Sequence, residues 1–141
     1  MSQIEQRGRI ARVRRLQHGL AAATAAKASA HVQMLEGNDS RLGEMRRGMQ
    51  ANQGVTSGAS LAGRGELAMR LEAARHSLTL TIQSARAAST LRERARLSAR
   101  RDQESAEKLE RSAARAARHQ AETRRTARLR PRLRKSDGDA E

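Results

Sequence analysis

The chain has 141 residues, 29 of them Lys or Arg against 15 Asp or Glu, for a formal charge of +14, with no Cys, Trp, Tyr or Phe and one Pro. With no aromatic residue and only 14 Leu, 3 Ile and 3 Val, it lacks the side chains for a β-sheet or a thick, compact core. Low aliphatic content and high charge point toward disorder, but Ala, Arg, Leu, Glu and Lys supply 81 residues, the composition of long helices and coiled coils.

In chain order, Met1-Ser2-Gln3-Ile4-Glu5-Gln6-Arg7 lacks the apolar centre of a signal peptide, and no stretch is long and apolar enough for a membrane span. Absence of Cys suits a reducing compartment, so the expected location is the cytoplasm. Ile10, Val13, Leu20, Lys27, Met34, Leu42, Met45 and Met49 recur at or near three- and four-residue steps, which predicts a first helix over 2–50 with these residues along its seam. Gly37, Asn38 and Asp39 predict a local kink or stutter within it.

Gly54, Gly58, Gly63 and Gly65, interleaved with Asn52, Thr56, Ser57 and Ser60, predict a turn over 51–65. A strict 4-3 walk follows, through Leu71, Ala74, Leu78, Thr81, Ala85, Ala88, Arg92, Ala95, Ala99, Asp102, Ala106, Leu109, Ala113 and Ala116. It predicts a second helix over 65–130, which Pro131 stops, leaving 131–141 as a disordered tail. The expected fold is therefore all-α: a long antiparallel two-helix coiled-coil hairpin, residues 1–130, with a Gly-rich turn and a basic C-terminal extension. Matching the larger residues places Met49 against Leu67, Met45 near Leu71, Leu42 near Ala74, Met34 near Ile82 and Ile10 near Ala106. An Ala-rich seam satisfied by the antiparallel partner predicts a monomer or weak oligomer.

Residues that could carry chemistry are sparse. Gly58-Ala59-Ser60-Leu61-Ala62-Gly63-Arg64 has the glycines of a phosphate-binding loop, but Arg64 stands where that loop needs Lys, Gly65 where it needs Ser or Thr, and no strand precedes it; it reads as a hairpin turn. His18, His31, His76 and His119 lack metal-ligand spacing. His31 falls near the expected seam as a polar layer, and the other three read as solvated. A two-helix hairpin offers no water-excluding cavity, so the chain is expected to be no enzyme and to hold no cofactor or metal. Between Arg111 and Lys135 lie ten Lys or Arg and one acid, Glu122, which allows nonspecific binding to a nucleic-acid backbone; without aromatic residues there is no stacking platform for sequence recognition.

Beside the turn, Asn38, Leu42, Met45 and Met49 form one 4-3-4 face, and Leu67, Leu71, Ala74 and Leu78 form a second. In this pairing, and as a basic Cys-free hairpin of this length, the chain resembles the flagellar export protein FliJ and its type III secretion counterparts. Met and Leu stand where those proteins commonly carry aromatic residues. The resemblance implies a non-catalytic stalk that couples the export ATPase ring to the export gate, peripherally associated with a membrane-embedded apparatus and serving protein export and motility. It implies gate contact through the eight residues of the two faces and contact with export chaperones. It also implies docking into the ring through Arg7, Arg9, Arg12, Arg14 and Arg15 of the first helix and Arg111, Arg115 and Arg118 of the second. A generic coiled-coil scaffold and a nonspecific nucleic-acid binder remain the alternative readings.

Overall fold

A computed structural model of the chain describes residues 2–50 and 54–129. It holds two long helices packed against each other, α1 (Gln3–Gly48) and α2 (Gly58–Leu129), with no strand among the described residues. The all-α two-helix hairpin expected from composition is the observed fold.

Local sequence sets the helix ends. Ser2 and Glu5 form a reciprocal cap: the Glu5 amide donates to Ser2 Oγ (3.3 Å), and the Ser2 amide donates to Glu5 Oε2 (2.8 Å). At the other end of α1, the Met49 and Gln50 amides donate to the carbonyls of Arg46 and Arg47, tightening the last turn, where both arginines complement the negative end of the helix dipole. Ser57 starts α2 by accepting the Ser60 amide on its Oγ at 3.1 Å and the Leu61 amide on its carbonyl at 3.1 Å.

That cap corrects the expected turn. Gly58, Gly63 and Gly65 lie inside α2 rather than in a loop, and the Gly58–Arg64 segment is its first turns. Each helical glycine costs roughly 1 kcal/mol relative to Ala, but the Ser57 cap and the flanking Ala59, Ala62 and Leu61 favour helix. No described glycine has positive φ, so the cluster supplies no left-handed corner. Gly37–Asp39, where a local kink or stutter was expected, does not end the helix: α1 runs through it unbroken. Residues 51–53, the expected end at residue 130 and the tail 131–141 lie outside the described residues.

Burial shows the true seam. On α1 the sheltered positions include Ala11, Arg14, His18, Ala21, Ala25, Ala28, Val32, Leu35, Asp39 and Leu42, an unbroken alternation of three- and four-residue steps, with Arg7, Gly8, Ala22, Glu36 and Gly43 beside it. The expected seam residues Ile10, Val13, Leu20, Lys27 and Met34 are exposed instead. On α2 the expected Leu71, Leu78, Ala85, Ala99, Ala106 and Ala113 are sheltered, but the alternate members move on by one: Arg75, Ile82, Ser89, Arg96, Gln103, Glu110 and Ala117 replace Ala74, Thr81, Ala88, Ala95, Asp102, Leu109 and Ala116. Long charged side chains take seam places by laying their stems along it while their heads find partners. His18 follows this correction onto the seam, with an Nε2 that has no hydrogen-bond partner, whereas His31 is exposed.

The chain divides into two compact units. One pairs residues up to Arg15 with those from Arg101 onward, and the other runs from Leu16 to Arg100. Among the described residues the buried ones are Ala11 and Ala106 in the first unit and Ala25, Leu35 and Ile82 in the second. Ala11 and Leu35 thus hold the inward places expected of Ile10 and Met34.

Candidate docking sites

In the Leu16–Arg100 unit the helices leave an open groove of about 490 Å³ between Asn38, Arg41, Leu42 and Met45 of α1 and Ala74, Ser77, Leu78 and Thr81 of α2. Each helix contributes positions i, i+3, i+4 and i+7, so two parallel ridges of side chains frame one trough. Leu42 and Leu78 are half-buried seam members forming its floor, while Met45, 56% exposed, stands on its wall. Met is flexible enough to repack around an apolar visitor. Polar capacity comes from Asn38, Ser77 and Thr81, and from exposed Arg41, which has no ion pair among the described residues.

Cross-helix pairs fix the helices beside this trough. Arg75 Nε donates to Asp39 Oδ1 at 3.1 Å, with both side chains about two-thirds covered, and the bond raises the arginine above its ordinary pKa. Arg46 pairs with Glu72 at 3.0 Å, and Arg86 Nε donates to Glu36 at 2.9 Å. Gly43 lies under Arg75, where a Cβ would sit 3.4 Å from the guanidinium carbon, in van der Waals contact with it.

Of the eight residues expected to contact a gate, Asn38, Leu42, Met45, Ala74 and Leu78 line this groove. The other three do not. Met49 lines a smaller hollow of about 200 Å³ with Arg46, Arg47, Gln50 and Ala68; Leu71 is a half-buried seam residue, and Leu67 is exposed. Arg41 and Ser77 were missed by sequence reasoning because an apolar 4-3-4 pattern ignores polar residues one step aside, and Thr81 was read as a seam position rather than as part of this site; the i, i+3, i+4, i+7 template would have grouped all three with it.

The basic candidates all belong to the other unit, where half of them are spent on internal contacts. Arg7 donates to the Leu109 carbonyl at 3.2 Å, Arg14 pairs with Asp102 at 3.3 Å, and Arg15 pairs with Glu107 at 2.9 Å and Glu110 at 3.6 Å. Arg111 Nε donates to the Glu107 carbonyl at 3.2 Å. Hydrogen bonds from Arg15 and Gln103 hold the Glu107 carboxyl below the usual carboxylate range. Arg9 and Arg12 face a polar hollow of about 470 Å³ shared with Glu5, Gly8, Arg15 and Glu110. Arg9, Arg12, Arg115 and Arg118 have no ion pair among the described residues and are exposed.

Among the described residues no three His, Cys, Asp or Glu side chains converge to hold a metal ion, and no helix is long and apolar enough to cross a membrane. The chain matches no protein-family model, no characterised protein and no solved structure to which it was compared.

Proposed function

We propose that the chain is a non-catalytic coupling component of a flagellar or type III protein export apparatus, joining an export ATPase ring to the export gate. The observation that carries this reading is the groove in which Asn38, Leu42, Met45, Ala74 and Leu78 come together with an exposed methionine at its wall. A trough framed by two helices, apolar at its base and polar at its rim, suits an amphipathic segment of another protein. Arg9, Arg12, Arg115 and Arg118, unspent on internal pairs, suit an acidic ring lumen that would steer docking.

The test uses positions that are exposed and outside the seam, Met45→Asp with Ala74→Asp. Binding to the cytoplasmic domain of an export gate, measured by calorimetry, should be lost, and motility or secretion should fail, while far-ultraviolet circular dichroism stays unchanged. Undiminished binding and motility would overturn the reading. A second reading, nonspecific binding to a nucleic-acid backbone, is favoured by exposed Arg115, Arg118, Arg124, Arg125 and Arg128 along α2, against Glu122 alone over the same stretch. Duplex binding that survives physiological salt and collapses when Arg124, Arg125 and Arg128 become Gln would establish it.

A further inference from the structure

From Leu16 to Leu35, α1 carries one formally charged side chain, Lys27, in a chain that is 31% charged overall. The seam with α2 accounts for only part of this stretch, through His18, Ala21, Ala25, Ala28, Val32 and Leu35. A second face is Leu16, Leu20, Ala23, Lys27, Ala30 and Met34, again in alternating four- and three-residue steps. All six are exposed, with Leu16 and Leu20 at 70% and 71%, and all lie in the Leu16–Arg100 unit. Helix faces that meet water normally carry charge, as most of α2 does. This one has the heptad spacing of a coiled-coil seam with nothing against it.

We infer that this face pairs with the same face of a second copy of the chain, antiparallel. In that arrangement Leu16 lies opposite Met34 of the second copy, Leu20 opposite Ala30, and Ala23 opposite Lys27. Large residues then meet at the ends, a large residue meets a small one next, and the Lys27 stem crosses an alanine with its ammonium free to reach water. Parallel pairing instead stacks Lys27 on Lys27 in one layer, which like-charge repulsion disfavours. Leu16, Leu20 and Met34, the last 54% exposed, supply most of the apolar area, and a face of six side chains falls short of the roughly 800 Å² per partner of a standard specific interface, which fits a weak dimer. With one charge on the face there is nothing to select an acidic or basic partner, whereas the face is complementary to itself in register.

Sedimentation equilibrium of the full chain from about 5 to 200 μM tests this, a range that spans micromolar association. The mass should rise with concentration from 15.5 kDa toward twice that value. Leu16→Glu with Leu20→Glu, both at exposed positions, should weaken association at least tenfold without loss of helicity. The Met45→Asp, Ala74→Asp variant should associate like the parent, so failure of the groove reading and failure of this one are distinguishable. A mass fixed at 15.5 kDa throughout, or undiminished association of the glutamate variant, overturns the inference. Because the chain has no Cys, orientation can be read directly by mixing Leu20→Cys and Ala30→Cys proteins under oxidising conditions. Mixed disulfides support the antiparallel pairing, and Leu20→Cys homodimers overturn it.

Discussion

The two units use the same heptad geometry with different materials. Around Leu35 and Ile82, 8% and 7% exposed, the seam is filled by branched aliphatic side chains. Around Ala11 and Ala106 it is filled by methyl groups, and the larger contributors are ionic: Arg14 with Asp102, and Arg15 with Glu107 and Glu110. Burial scales with area and is insensitive to salt, whereas exposed ion pairs contribute little and are screened. Ion pairs cross between the helices in both units, as Arg75 with Asp39 and Arg86 with Glu36 do beside Ile82, so the contrast lies in the buried side chains, and the alanine region is the easier to open.

The sharpest way to break this comparison is to make the aliphatic region resemble the alanine region. Ile82→Ala should cost about 2–3 kcal/mol, the transfer free energy of the lost carbons plus the void they leave. Native-state hydrogen exchange should show the loss in amides of the Leu16–Arg100 unit. If the melting temperature hardly moves, Ile82 is not carrying the packing assigned to it.

Ala106→Gly probes the other region and should do less. It removes one methyl and introduces a helical glycine, together about 1.5 kcal/mol, most of it helix propensity rather than packing. A cost equal to or above that of Ile82→Ala would mean that the alanine seam is tighter than its small buried residues suggest.

The helical period of both elements was legible in the sequence, because a 4-3 repeat over many turns leaves few other solutions. Its phase was not. In α1 the larger residues Ile10, Val13, Leu20 and Met34 marked one face and Ala11, Ala21, Ala25 and Ala28 the next, and hydrophobicity alone favours the larger set. The structure turns the alanines inward, since small side chains let two backbones approach while the pair of Asp39 and Arg75 on the seam and the pair of Glu36 and Arg86 beside it lock the register. In α2 four of the seven displaced positions were held by Arg75, Arg96, Gln103 and Glu110, whose polar heads disguise stems lying on the seam. The start of α2 was misread because the glycine cluster outweighed a single serine cap. The groove was partly legible: its apolar members followed from spacing, but its rim depended on which way each helix was rotated.

The smallest effect distinguishes the units by chemistry rather than size. Arg15 holds Glu107 below its ordinary pKa from across the seam, while Arg96 does the same to Glu93 from three residues along the same helix. A lowered carboxyl contributes stability that is present above its unfolded value, near 4.3, and is lost as pH falls through the lower folded value. Acidification from about pH 5 to pH 3 should therefore loosen helix pairing around Ala106 through Glu107, whereas protonating Glu93 weakens only a contact within α2. Glu93 is exposed and Glu107 only half-buried, so the change is small, and about 1 M salt should reproduce much of it at neutral pH by shortening the screening length to about 3 Å. Two-dimensional NMR of the chain and of Glu107→Gln can resolve it: amides near Ala106 should respond to pH and salt in the parent and respond less in the variant. An identical response in parent and variant near Ala106 would remove Glu107 from the forces that hold that region together.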